Sequence, residues 1–330
     1  MTLLHEHLAD LPECDQASRD AVHERAANIL RPSGALAWLD DIAAWVAGWQ
    51  RTDQPRVAKP AGLIFAADHG VAAATKVSAY PTGVTEAMLS AYRQGRSTIN
   101  AFARIAGATV TAVDVGVGNP TGDIRYEAAL SEERFDNIVR TAFAAVEELD
   151  CDLLVLGEMG IGNTTPSAAI AASLAGGETA AWVGRGTGVD DEGLARKRQA
   201  VQEAVRRIAG ITDPIEILRE VGGAEIAAIT AATIAARHRS IPVVLDGYVV
   251  TAAVLPLNEI DPAAIAHCTV GHCSSEPGHR KLLERLGKPP LLDLDMRLGE
   301  GSGAMAAVPL IAMACAGITD VPTFGEWFGE

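Results

Sequence analysis

Glu300 sits in the run Arg297-Leu298-Gly299-Glu300-Gly301-Ser302-Gly303-Ala304, between two glycines and just ahead of a long apolar stretch. Glycines on both sides leave its carboxylate bare. A partly desolvated Glu has a raised pKa and can take a proton near neutral pH, so Glu300 is a candidate general base. A carboxylate at a helix start is also stabilised by about 0.3–1 kcal/mol, and a purely structural role stays open on the residues alone. A second chemical stretch runs Gly157-Glu158-Met159-Gly160-Ile161-Gly162-Asn163-Thr164-Thr165-Pro166-Ser167, between an apolar run and the helical Ala168 to Leu174. Strand, glycine-rich loop and helix N-terminus in that order suit a phosphate monoester. Gly160 and Gly162 let the backbone approach, Asn163, Thr164, Thr165 and Ser167 add polar side chains, and the helix end is positive. No Gly-Lys-Ser/Thr follows, so this is not a Walker loop, and the third glycine of a dinucleotide fingerprint is missing. Gly184, Gly186, Thr187 and Gly188 form another loop ahead of a charged helix, and the two loops together could hold one nucleotide. Asp190 and Asp191 read as that helix's cap. No paired acids follow a β-branched strand, so use of phosphoribosyl diphosphate is not inferred.

Asp68-His69 ends another apolar run and is either an acid–base pair or a capped turn. The segment His267 to His279 is rich in His and Cys, but its spacing fits no standard zinc pattern, and adjacent His-Cys pairs on a strand point apart. No metal site is expected.

These residues need positioning. Helical periodicity covers residues 15 to 50, broken at Pro32-Ser33-Gly34, with a polar connector from Arg51 to Ala58. From residue 61 onward, short apolar runs alternate with Ala-rich helical stretches. The expected strands are Gly62 to Ala67, Ala108 to Val115, Asp152 to Leu156, Ile241 to Leu245, Ala266 to Val270 and Leu291 to Leu294. This alternation predicts βαβ units and an α/β fold with a parallel sheet. Ligands in such sheets bind beyond the carboxyl ends of the strands, where the candidate residues fall.

Composition sets the outer limits. The 330 residues, 48% hydrophobic and 21% charged, can bury a large core and exclude a disordered chain. With 27 Lys plus Arg against 42 Asp plus Glu, the net charge of −15 argues against nucleic acid or anionic lipid as a partner. Five cysteines in a long chain are no disulfide scaffold and fit a reducing cytoplasm. Met1 to Asp15 lacks the pattern of a signal peptide. Gly301 to Thr319 is uncharged but contains Pro309 and mostly small residues, and reads as a buried helix rather than a membrane span.

The strings ADHGVA, SAYPTGVTEAML, GEMGIGNTTPSAAI, GRGTGVDD, PVVLDGYV and SSEPGHRKLLERLGKPPLLDLDMRLGEGSGA together resemble the nicotinate-nucleotide–dimethylbenzimidazole phosphoribosyltransferases of cobalamin nucleotide-loop assembly. The resemblance covers roughly residues 60 to 320. It implies a Rossmann-like parallel sheet flanked by helices, with a smaller helical domain built from the chain ends. The expected division is 1–58, 59–300 and 301–330. It implies a homodimer without a cofactor, whose small-molecule substrates are nicotinate mononucleotide and a benzimidazole-type base. The implied products are α-ribazole 5′-phosphate and nicotinate, formed by single displacement with inversion. Glu300 would be the general base and Glu158 would lie beside the reacting sugar or base. The two glycine loops would hold the phosphate, with Lys197 as its charge partner. Ser78, Tyr80, Pro81, Glu86, Met88 and Met159 would line the base pocket. The match departs at Asn119 to Ser131, a loop expected to touch the nucleotide or a partner subunit. The alternatives are the same chemistry on adenine, another benzimidazole or a phenol, or a nucleotide-binding protein without transferase activity. A metal-dependent hydrolase and a Rossmann oxidoreductase fit the motifs less well.

Overall fold

A computed structural model describes residues 2–329. Its centre is a six-stranded, all-parallel sheet: β1 (Pro60–Ala67), β2 (Thr109–Gly116), β3 (Leu153–Met159), β4 (Val243–Leu245), β5 (Cys268–His272) and β6 (Pro290–Leu292), in the order β2-β1-β3-β4-β5-β6. All six expected strands are present, with shifted ends. β3 runs on through Met159, so Glu158 stands near the end of a strand rather than in the loop after it. Pairing with β1 extends to Met159 and supplies the missing hydrogen bonds.

Parallel strands are covered on both faces, and side chains alternate between them. Leu63, Phe65, Leu154 and Leu156 point to one core, with the helices Glu132–Glu147, Thr164–Ala175, Ala224–His238 and Tyr248–Ile260. Ile64, Leu153 and Val155 point to the other, with Gln16–Asn28, Trp38–Gln50, Thr98–Ala106 and Ser302–Thr319. β2 and β6 are the two edge strands, and β2 stays partly exposed.

The two chain ends meet. Arg25 donates to the carbonyls of Ile318 and Val321 and pairs with Glu326, and Ile29 bridges to Thr323. The short helix Leu3–Glu6 departs from its neighbours and docks on Glu132–Glu147, where the Leu3 N–H donates to Asp136. Ser302–Thr319 has the length and hydropathy of a membrane-crossing helix. Its buried side, including Met305, Val308 and Ile311, packs on Trp38–Gln50, Thr98–Ala106 and β5.

The strand order turns back between β1 and β3. β1 leads outward to β2 on one side, and the chain then returns to build β3 to β6 on the other. Crossovers leave that point in opposite directions, which opens a crevice above the carboxyl ends of these strands.

Candidate active site

The crevice holds a cavity of about 300 Å³, lined from the ends of β3, β4 and β5 and from the loops around Ser78, Gly186 and Glu300. Its lining combines apolar side chains, Val77, Val84, Met88, Met159 and Leu298, with polar groups, Thr164, Gly186 and Lys197.

Glu158 and Glu300 come together in this cavity. Burial pushes the Glu158 carboxyl up to about 8. A hydrogen bond from the Asn163 amide opposes that rise, while the charges of Glu225, Asp246 and Glu300 add to it. Burial pushes the Glu300 carboxyl up to about 7, against the approach of the Tyr92 hydroxyl. One Glu300 oxygen is buried with no hydrogen-bond partner among the described residues. A pair of carboxyls raised this far can hold or release a proton near neutral pH.

The backbone that presents Glu300 is unusual. Gly299, Glu300 and Gly301 have φ of +83°, +68° and +85°, three consecutive residues in the left-handed region. For a non-glycine residue that conformation costs about 1 kcal/mol, so surrounding contacts must impose it. β3 provides one of them. A Cβ on Gly157 would lie 2.4 Å from the Glu300 carbonyl oxygen, so only glycine lets the loop sit down on the strand. Asp246, at the end of β4, provides another: it accepts from the N–H groups of Gly301 (3.1 Å) and Ala304 (2.8 Å).

At the polar end Lys197 is 1% exposed, and its Nζ donates to Thr164 Oγ1 at 2.8 Å. Burial lowers its pKa to about 8, with the charge of Glu276 opposing. Glu276 Oε1 in turn accepts from the Gly186 N–H at 2.9 Å. An ammonium, a hydroxyl and a glycine loop beside the start of helix Thr164–Ala175 make an anion site. The loop carrying Ser78 closes over it, Ser78 Oγ lying 3.1 Å from Thr187 Oγ1.

A buried lysine at an anion site, two raised carboxyls and an apolar slot suit transfer of a phosphate-bearing group to a flat acceptor. A family model described as phosphoribosyltransferase matches residues 11–327. The chain belongs to this family. The nicotinate-nucleotide–dimethylbenzimidazole phosphoribosyltransferase of Mesorhizobium japonicum is 46% identical to it over 318 residues, 96% of this chain and 94% of that one. The protein of that name from Methylorubrum extorquens is 44% identical over 325 residues, covering 98% and 94%. The crystal structure of the same-named protein from Thermus thermophilus superposes with a TM-score of 0.89 at 36% identity, covering 96% of this chain and 99% of that one.

In this phosphoribosyltransferase the sequence-predicted residues divide into those at the cavity and those behind it. Glu300, Glu158, Gly160, Gly162, Asn163, Thr164, Gly186, Thr187, Lys197, Ser78, Tyr80, Met88 and Met159 all line it. Pro81 and Glu86 do not; both are exposed at the start of helix Val84–Arg93. Thr165 and Ser167 are buried within helix Thr164–Ala175, where the Ser167 hydroxyl donates to the Asn163 carbonyl. Gly184 abuts Glu276, and Gly188 has open space beside it. The departing loop Asn119 to Ser131 lies away from the cavity, its Ala129 N–H donating to the Glu220 carbonyl.

Asp68 and His69 part company: Asp68 accepts from Gly118 N–H at 2.8 Å, while His69 forms a fully buried 2.6 Å pair with Glu225 behind Gly160. In the His/Cys segment, His272 faces the cavity, whereas Cys268 packs beside His267 and Cys273 approaches the Ser274 carbonyl. No group of three or more His, Cys, Asp or Glu side chains among the described residues could hold a metal. Sequence reasoning missed Asp246, His272, Glu276, Tyr92 and Arg297. Asp246 and Glu276 stand in quoted motifs, but nothing local marks them as more than turn residues.

A test of the loop's seating follows. Gly157→Ala is expected to lower turnover by about 10²-fold, since an ångström of misplacement at a catalytic group costs that much. Steady-state kinetics on the folded variant checks this. Unchanged kcat would mean that the loop does not depend on β3.

Proposed function

We propose that this phosphoribosyltransferase moves the phosphoribosyl group of nicotinate mononucleotide to 5,6-dimethylbenzimidazole, giving α-ribazole 5′-phosphate and nicotinate. The observation that carries the reading is the place of Glu300: a buried, raised carboxyl in one cavity with Lys197, Thr164 and the Gly186 loop and with the apolar Met88, Met159 and Leu298. Lys197, Thr164 and the Gly186 loop hold the phosphate, and the base lies among Ser78, Tyr80, Met88, Met159 and Leu298. One benzimidazole nitrogen attacks C1′ from the face opposite the nicotinate, which inverts the anomer. The C1′–N bond breaks and its electron pair goes to the pyridinium nitrogen, so the leaving ring departs without that positive charge and needs no metal to activate it. The proton on the other benzimidazole nitrogen passes to Glu300. Glu158, its carboxyl raised by the same burial, stands beside the developing positive charge on the ribose.

The names and coverage of the relatives support the substrates. The enzyme is read as a homodimer, and exposed Phe324, Trp327 and Phe328 supply apolar surface for such a contact. Incubation of the purified protein with nicotinate mononucleotide and dimethylbenzimidazole, followed by chromatography, tests the reaction. Nicotinate and α-ribazole 5′-phosphate in equal amounts are expected. Free nicotinate alone, or no turnover with this acceptor, would overturn the proposed substrate pair.

A further inference from the structure

We propose that Asp246 is a positioning residue for the base. Its carboxylate clamps the backbone N–H groups of Gly301 and Ala304 and holds Glu300 in its left-handed, cavity-facing conformation. This rests on the reading of Glu300 as the general base.

Helix Ser302–Thr319 has no side-chain cap of its own, because its N-cap residue is Gly301. A capping side chain cannot be placed there. A Cβ on Gly301 would lie 3.0 Å from Ile99 Cδ1 and 3.1 Å from Gly157 Cα, and its φ of +85° disfavours any other residue. The cap therefore comes from a different strand. Asp246, 1% exposed, reaches both N–H groups from the end of β4. Two hydrogen bonds to the residue that follows one strand fix Gly301, next to Glu300, and Ala304 in the first turn of the helix.

Asp246 has a support of its own. His272 Nε2 lies 3.4 Å from Asp246 Oδ1, and the ring is pressed against Gly303, where a Cβ would come within 2.1 Å of it. Burial works against ionisation of Asp246. His272 and the N–H groups of Ala304 and Gly301 outweigh it and hold the carboxyl below its ordinary value. The charge then serves a second purpose. Glu300 is faced by Glu158 from β3, Asp246 from β4, His272 from β5 and Tyr92 from helix Val84–Arg93. A fixed negative charge among these disfavours ionisation of Glu300 and so keeps it a stronger base.

Two variants of the full chain separate clamp from charge, with Glu300→Gln as reference. For Asp246→Asn, kcat is expected to fall about 10²-fold, with the dissociation constant of nicotinate mononucleotide nearly unchanged. The acidic limb of its pH–kcat profile should move to lower pH, because the neighbouring charge is gone. A fall in kcat with that limb unmoved would reduce Asp246 to an ordinary helix cap and overturn the proposal. Gly301→Ala disturbs the clamp without touching any charge. It is expected to lower kcat by at least about tenfold with nucleotide affinity preserved, and it decides the matter if Asp246→Asn does not fold. Wild-type turnover in Gly301→Ala would also overturn the proposal. Near-full turnover in Glu300→Gln would instead remove the base itself. Loss of turnover in Glu300→Gln together with wild-type behaviour in Asp246→Asn would leave the base standing and Asp246 without this role.

Discussion

Glu300→Gln is expected to lower kcat by about 10²–10⁴, the usual contribution of a positioned general base, while nucleotide affinity barely changes. Gln keeps the shape and loses the ability to accept the benzimidazole proton. The wild-type pH profile of kcat/KM should fall on its acid side through about 7, the value to which burial raises this carboxyl in the free enzyme, because the protonated acid cannot act as a base. The variant's residual turnover should lose that limb. Stability should move the opposite way. The folded-state pKa of Glu300 lies above its ordinary value of 4.5, so its contribution to stability is complete below 4.5 and lost as pH rises through about 7. Gln is neutral at every pH, and thermal unfolding at pH 8 should show the variant to be more stable by several degrees. Full turnover in a folded Glu300→Gln protein would rule out the base assignment. A stability gain without loss of turnover would mark Glu300 as a strained residue with no chemical duty.

Lys197→Ala is expected to weaken nicotinate mononucleotide binding by about 10²-fold or more, with kcat little changed. In the proposed reading Lys197 pairs with the substrate phosphate, and truncating one partner of a hydrogen-bonded charge pair costs about 2–5 kcal/mol. The negative charge of Glu276, close enough to act on Lys197, would then no longer be offset by an ammonium. The phosphate does not react, so the loss falls on ground state and transition state alike and appears in KM. Burial also sets a pH dependence. The folded-state pKa of Lys197 is lowered to about 8, so nucleotide affinity in the wild type should decline as pH rises through that value and the ammonium is lost. Calorimetric titration against pH checks both statements. An affinity unchanged by the substitution would place the phosphate elsewhere in the crevice.

The sequence carried the frame and most of the chemistry. β-branched and apolar runs ending in glycine or acid marked all six strands; β1, β3, β4 and β5 are apolar because a strand buried on both faces must be apolar along its length. The loops after β3 and around Gly186 were legible for a similar reason: a backbone that approaches a phosphate needs glycine, and that requirement is local. Glu300 stood out because it lies between glycines ahead of an apolar helix. Strand ends were less legible, and β3 shows why. Glu158 reads as a loop residue until its pairing partner, Phe65 of β1, is known.

Tertiary structure decided which residues face one another. Asp246 and Glu276 look like turn residues and His272 like one more histidine of a His/Cys-rich strand, and their partners lie on other strands and loops. Only the sheet order β2-β1-β3-β4-β5-β6 brings Asp246 onto the backbone after Glu300. It also decided which neighbours of a motif stay out of the site: Thr165 and Ser167 turn into the helix, and His69 is taken up by Glu225. The raised carboxyls of Glu158 and Glu300 belong to this level too. Desolvation is a property of the packed surroundings and has no trace in the identity of a residue's chain neighbours.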